Sequence, residues 1–460
     1  MRLKRVAAFA VAAALLSAIA VLAVGARPSA PAAKPTPGGA PGPSRIVILF
    51  DVDMLRADRL GTYGYSRPTS PRLDRMLADG LVAEHAIASA GWTLPAHASM
   101  FSSLPVSAHG VRTALQKVPA NVPLLAEVLT RAGVRCLGIQ QGGYVDEGFG
   151  FARGFDRYLF TTDPVAFEVQ GALRFIDQSG PGPLFLFLHT VQVHNFQATE
   201  RGARAVFGST APLGPRWTKS FEELEKTRAS NGDARITSWL SARYDAATRE
   251  VDESLGELIA GLEARRLWDR TAVVFTSDHG EELGERPLRV GGSAPAHGHT
   301  IPYLYEEHIR VPLALRAPWR KDLRGRIAQP VSSLDVAPTI LDLFDVAIPP
   351  GMTGVPLGRP QPAGRVVVSE ATPYGAVALL EGSHKLILRP GFRARSWETG
   401  AWLDGLPSQE CFDLGRDPGE RRPVSCKEPW AEKLIDAAEA YVASSFPGEL
   451  VFRAEPHGGP

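Results

Sequence analysis

Ile46-Val-Ile-Leu-Phe50-Asp51-Val52-Asp53 is an apolar, β-favouring run that ends in two carboxylates two positions apart. A carboxylate at the end of a buried strand is costly unless it is paired or holds a cation. Side chains two apart lie on one side of a strand, so Asp51 and Asp53 share a face. The same pattern recurs at Val273-Val-Phe-Thr-Ser277-Asp278-His279-Gly280-Glu281, an apolar run feeding an Asp-His pair and a glycine turn. Carboxylate oxygens beside an imidazole nitrogen suit a divalent cation such as Zn²⁺ or Mn²⁺, and the carboxylates alone suit Ca²⁺.

Outward from these two runs, further buried strands read at Val134–Ile139, Leu184–Leu188 and Val311–Leu315. Helix-like stretches at Leu73–Ala78, Pro123–Ala132, Ala166–Ile176, Trp239–Leu267 and Leu334–Phe344 alternate with them. Buried strands alternating with helices predict an α/β fold: a large, mostly parallel central sheet flanked by helices. In such folds the residues just past the strand ends line the ligand crevice. After Pro350 the texture changes to short β-like pieces (Arg365–Val368, Ala376–Leu380, Lys385–Leu388) and a last helix near Trp430–Val442. The expected layout is a catalytic domain over 45–350 and a smaller C-terminal α+β subdomain over 351–460.

The N-terminus is of another kind. Arg2, Lys4 and Arg5 precede an uncharged run from Val6 to Ala26, which as a helix would reach roughly 30 Å. Residues 1–26 therefore read as a membrane anchor or a signal peptide, with the body exported. An anchored chain would face the periplasm or the extracellular side, and a cleaved one would be secreted or periplasmic. Residues 27–44 hold six Pro and three Gly and read as a disordered linker. In an oxidising compartment Cys411 and Cys426 are placed to pair, whereas Cys136 reads as a buried strand residue. Lys385 reads as a surface lysine. With 50 basic and 49 acidic side chains the net charge is +1, which excludes a generally basic nucleic-acid binder.

Between the two carboxylate segments lies Gly91-Trp92-Thr93-Leu94-Pro95-Ala96-His97. Pro95 favours a first helical turn, where Thr93 is either an N-cap or a nucleophile at a helix N-terminus that favours anions.

Together these segments resemble the sulfatase family of the alkaline phosphatase superfamily, over nearly the whole body. Asp53-Met-Leu-Arg-Ala-Asp58 is similar to the family's opening motif, and Trp92-Thr-Leu-Pro-Ala-His97 to its nucleophile segment. Phe187-Leu-His-Thr-Val-Gln-Val-His194 resembles the segment with an active-site histidine. Ser277–Glu285, His297-Gly-His-Thr300 and Leu304-Tyr-Glu-Glu307 resemble the second metal segment, and Phe412–Glu420 extends the likeness to the C-terminal part.

The resemblance implies a sulfatase-like sandwich and a metal-dependent hydrolase of a small anionic sulfate or phosphate ester. Asp53, Thr93, Asp278 and His279 would hold the metal, with Thr93 as nucleophile. His97 would contact the nucleophile or the anionic group. His194 and His297 would stabilise charge or protonate the leaving oxygen, and a second metal held partly by His297 is compatible with the pattern. His109 and His189 read as structural, His299 as peripheral, and Asp51 as an extra ligand or a hydrogen-bond partner.

Two departures bear on the substrate. Family members proper carry Cys or Ser in Cys/Ser-x-Pro-x-Arg, oxidised to formylglycine; here Thr93 and His97 stand instead. A secondary alcohol cannot become an aldehyde, so phosphoester chemistry is favoured over sulfate. The alternatives are a phosphotransferase moving a lipid head group to a glycan, a strict arylsulfatase, and an inactive anion-binding module.

Overall fold

The computed structural model describes residues 44–196, 198–213, 234–289, 293–298, 303–372, 375–390 and 407–446. The basic N-terminus, the Val6–Ala26 run, the Pro-rich linker and His299 lie outside them. No helix among the described residues is long and apolar enough to cross a membrane.

Nine strands form the main sheet: β1 (Ile46–Val52), β2 (Leu81–Ile87), β3 (Arg135–Gln140), β4 (Arg157–Phe160), β5 (Leu184–Thr190), β6 (Thr271–Thr276), β9 (Arg310–Arg316), β10 (Gly325–Ile327) and β11 (Val331–Ser332). A separate two-stranded ribbon pairs β7 (Glu282–Arg289) with β8 (Ser293–Gly298). The main order is β10-β2-β9-β6-β1-β5-β3-β4, with β11 beside β2. The run β6-β1-β5-β3-β4 is parallel throughout, and β9 is antiparallel to both its neighbours.

Each central strand is buried on both faces, which is why it reads as a continuous apolar run. Val47 and Leu49 of β1, with Phe185 and Phe187 of β5, join one core that includes Leu94, Ala98 and Phe101 of the helix Thr93–Ser102. Ile48, Phe50, Leu186 and Leu188 face the other core, covered by Leu173 of the helix Val165–Gln178 and by Tyr244, Val251 and Leu255 of the helix Ala234–Ala264.

The C-terminal part is a four-stranded antiparallel sheet, β12 (Val367–Ala371), β13 (Ala376–Glu381), β14 (His384–Leu388) and β15 (Gln409–Asp413). Ala378, Leu380, Ile387 and Phe412 join the main core. Val377, Leu379 and Leu386 pack under Leu434, Ala438 and Val442 of the helix Pro429–Ser445. Cys411 and Cys426 form the expected disulfide, and Cys136 is buried on β3.

Lys385 is a correction. It lies on β14 but is fully buried, 3.0 Å from Glu306 and 2.8 Å from Glu420. Alternation puts its neighbours Leu386 and Ile387 on opposite faces, and the face that receives Lys385 packs against the main domain, not water. β2, β4 and β15 did not register in the sequence. In β2 the apolar pattern is broken by Glu84-His85, where the pairing with β9 also shifts register.

Candidate active site

Three neighbouring parallel strands end together, and the titratable residues gather at their carboxyl ends. β1 delivers Asp51 and Asp53, β5 delivers His189, and the turn after β6 delivers Asp278 and His279. Odd-numbered β1 residues project toward the helix Thr93–Ser102, so Asp51 and Asp53 meet that helix's first turn.

The Asp278 segment is held rigidly. Asp278 Oδ1 accepts from the backbone N–H of Met54 at 3.2 Å and of His279 at 2.9 Å, leaving Oδ2 buried with no hydrogen-bond partner. His279 Nδ1 lies 2.9 Å from the Gly280 carbonyl. A carbonyl only accepts, so Nδ1 carries the proton and a neutral ring presents its lone pair on Nε2. Gly280 is required here, because an added Cβ would lie 2.1 Å from the Glu307 carbonyl oxygen.

The Asp53 segment is locked to this turn. Leu55 N–H donates to Ser277 Oγ at 2.8 Å, and the Arg56 guanidinium donates to the Glu281 carbonyl at 2.9 Å and to Glu285 at 2.7 Å. Tyr244 accepts from Arg56 N–H at 2.7 Å and donates to the Met54 carbonyl at 2.6 Å. Met54 itself is held at φ 65°, a left-handed conformation that a non-glycine residue keeps only when its surroundings impose it.

Thr93 begins its helix rather than capping it: Trp92 occupies the cap position, and the Thr93 hydroxyl lies 3.3 Å from His279 Nε2. His279 Nε2 is also 3.5 Å from Asp278 Oδ2 and 3.6 Å from Asp53 Oδ1. Donors each about 2.1 Å from one ion lie roughly 3 to 4.2 Å apart, depending on the angle between them. The spacing around His279 Nε2 falls in that range, and Asp53, Asp278 and His279 offer ligand atoms all within 4.8 Å of one another.

Burial, then the charges of Asp278, Asp51 and Glu281, push the Asp53 carboxyl well above its usual range. Asp53 Oδ1 has no hydrogen-bond partner. Clustered, orphaned carboxylate oxygens facing an imidazole lone pair are what a divalent cation satisfies, so these residues fit one.

His97 is fully buried. Its Nδ1 lies 2.9 Å from the Thr93 carbonyl and its Nε2 2.9 Å from Asp51 Oδ2. Burial would raise the Asp51 carboxyl, but His97 and His189 outweigh it and hold Asp51 at about 2. Asp51 is thus a carboxylate that only accepts, both His97 nitrogens donate, and the ring is an imidazolium. Burial opposes that charge, and Asp51 overcomes it. His97 therefore touches the backbone of Thr93, at 0% exposure, and puts a cation where the family pattern carries Arg.

The remaining histidines are placed differently. His109 is buried, its ring bonded to Ser99 Oγ at 3.0 Å and to the Val111 N–H at 3.1 Å. His194 is half-buried in the turn after β5, 3.1 Å from Asn195 Oδ1. His297 lies on β8, paired in register with Leu283; its side chain is outside the described residues. Asp51 is a hydrogen-bond partner of two histidines. His189 stands nearer the candidate ligand Asp53, at 3.9 Å from its Oδ2, than its structural reading implied. The signal was its place at the end of β5, in register with Asp51.

Residues 45–346 match the family model described as Sulfatase. The chain belongs to the sulfatase family. Residues 299–439 match a second model, N-sulphoglucosamine sulphohydrolase, C-terminal. Among curated relatives, arylsulfatase K of Mus musculus is 29% identical over 43% of this chain, and N-acetylgalactosamine-6-sulfatase of Rattus norvegicus is 23% identical over 84% of it. The alignment spans 34% of the arylsulfatase K and 82% of the rat enzyme. The solved structure of the phosphonate monoester hydrolase of Agrobacterium radiobacter shares the fold, with a TM-score of 0.64 at 17% identity over 87% of this chain and 95% of that one.

Proposed function

We propose that this chain is a metal-dependent hydrolase of phosphate or sulfate esters, with phosphoesters favoured, that uses Thr93 as its nucleophile. The observation that carries the reading is the Thr93 hydroxyl 3.3 Å from His279 Nε2, a nitrogen that itself lies 3.6 Å and 3.5 Å from the orphaned oxygens of Asp53 and Asp278. Asp53, Asp278, His279 and Thr93 would hold a divalent cation (Zn²⁺, Mn²⁺ or Ca²⁺), which when bound lowers the hydroxyl pKa and offsets substrate charge.

The chain's own residues do the rest. Thr93 Oγ, as an alkoxide whose proton has gone to solvent, attacks phosphorus in line, so that a Thr93–phosphorus bond forms as the bond to the leaving oxygen breaks. His194 and His297 stabilise charge or protonate that oxygen, and water then cleaves the Thr93 ester. His97, anchored by Asp51, fixes the Thr93 backbone. The fold is shared by sulfatases and a phosphonate monoester hydrolase, so it does not choose between sulfur and phosphorus. Thr93 is what favours phosphorus in this reading, because its secondary alcohol has no route to an aldehyde. The N-terminal pattern and the Cys411–Cys426 disulfide support an exported enzyme, anchored or released.

The test is turnover of p-nitrophenyl phosphate, bis-p-nitrophenyl phosphate and p-nitrophenyl sulfate with each cation, beside Thr93→Ala. Phosphoester turnover that falls roughly 10³-fold or more in Thr93→Ala supports the reading. Turnover of the sulfate instead, or phosphoester turnover untouched by Thr93→Ala, overturns it. Turnover only when a second alcohol is supplied would identify a transferase.

A further inference from the structure

Six buried titratable side chains meet at the ends of β1, β5 and β6, and they fall into two sets of three. Asp53, Asp278 and His279 form one set of potential ligands, and Asp51, His97 and His189 form another. Their internal spacings differ in kind. Asp51 Oδ2 lies 2.9 Å from His97 Nε2 and 2.8 Å from His189 Nδ1, which are hydrogen-bond distances shorter than ligands of one ion adopt. The second set is therefore a carboxylate accepting two N–H groups, not a separate cation site.

That bond fixes the other side of His189. With Nδ1 donating to Asp51, a neutral ring carries its lone pair on Nε2. Nε2 is buried with no hydrogen-bond partner, and an orphaned polar atom in a core is destabilising unless something satisfies it. It lies 3.9 Å from Asp53 Oδ2, too far for a hydrogen bond and within the separation of two donors on one ion. His279 approaches the same carboxylate from its Oδ1 side at 3.6 Å. Each imidazole has its Nδ1 proton committed, one to the Gly280 carbonyl and one to the Asp51 carboxylate, and each presents Nε2 to Asp53.

We propose that His189, through Nε2, is a further ligand of the cation held by Asp53, Asp278 and His279, and that Asp51 is the residue that positions it. The inference rests on the metal-binding reading above and extends it. A carboxylate that receives the far N–H of a ligating histidine fixes the ring's tautomer and orientation and strengthens it as a ligand. This gives the Asp51–His97–His189 cluster two tasks: it anchors the nucleophile's backbone through His97 and the cation through His189. His189 reaches Asp51 only because the two are register partners on neighbouring strands.

The test is metal affinity in the whole chain, measured by competition with a chromophoric chelator for Zn²⁺ and Mn²⁺, together with the visible spectrum of the Co²⁺-loaded protein. The expected result is one ion per chain and a Kd raised roughly ten- to a hundredfold in His189→Ala, with Asp51→Asn weakened in the same direction. The Co²⁺ bands should shift in His189→Ala, because a nitrogen donor is lost. His189→Gln, which keeps bulk and a donor for Asp51, should weaken binding similarly and serves if the alanine variant misfolds. Asp53→Asn is the control and should abolish binding. Wild-type affinity and an unchanged Co²⁺ spectrum in both His189 variants, with Asp53→Asn inactive in binding, overturn the inference alone. No binding by the unaltered chain overturns the metal reading as well. Two ions in the unaltered chain and one in His189→Ala would place His189 on a separate ion, against the proposal.

Discussion

Replacing Lys385 by Met tests how the C-terminal sheet supports the turn that carries Asp278 and His279. Lys385 is fully buried between Glu306 and Glu420, at 3.0 and 2.8 Å. Burial opposes its charge, but the two carboxylates keep it protonated, raised above its ordinary value. An exposed lysine contributes within about 0.5 kcal/mol, whereas removing one partner of a buried ion pair costs about 3–5 kcal/mol. Met fills the space and leaves two carboxylates without their cation, so the upper range is expected at neutral pH.

The pH dependence has a definite sign. Burial already raises Glu420 to about 7, and Lys385 is the first of the charges that oppose that rise. Without the lysine Glu420 rises further, and Glu306, held below its ordinary range by Lys385 first and then by His85, loses most of that hold. The folded variant then binds more protons than the unfolded chain, and its stability falls as pH rises above the unfolded carboxyl range. Urea unfolding at pH 5, 6, 7 and 8 should show a deficit against the unaltered chain that widens with pH. A loss under about 1 kcal/mol at pH 7.5, or a deficit that grows as pH falls, would refute the reasoning. Glu306 opens the short helix whose Glu307 and His308 carbonyls lie against Gly280, so metal affinity should weaken with it.

Two further outcomes follow from the same chemistry. With metal removed by chelator, Asp53 is a buried acid whose pKa is raised by burial and then by Asp278, so the folded state holds the extra proton and stability should fall with rising pH. Asp53→Asn should flatten that fall while losing the stabilisation that added Zn²⁺ or Mn²⁺ gives, read by thermal melts from pH 5 to 8; a steeper fall in the variant would contradict the assignment. Cys411 and Cys426 close a loop with a sequence separation of 15, so Cys411→Ser should cost about 3 kcal/mol in urea unfolding; no change in midpoint would show that the crosslink constrains little.

The parallel core was legible because strands buried on both faces must be apolar throughout. β1, β3, β5, β6 and β9 lie within two residues of the runs that announced them. Asp53, Asp278 and His279 were legible for a related reason, since a charge directly after such a run needs a partner. Local pattern offered Thr93 only as an N-cap or a nucleophile at a helix start, and the family resemblance alone set it beside Asp278 and His279, because its hydroxyl's direction depends on where β6 ends. β2 hid behind Glu84-His85, where His85 pairs with Glu306 and Arg310 donates to the Glu84 carbonyl across the fold.

Local sequence thus determined the fully buried strands, the main helices and the chemical types gathered at the strand ends, since periodicity and desolvation cost act within a few residues. Register and packing decided the rest. They join Asp51 to His189 across 138 positions and to His97 across 46, make His97 a buried cation, and turn His189 Nε2 toward Asp53. They also place Lys385 in the interior, because a strand's pattern shows which residues share a face but not what covers it.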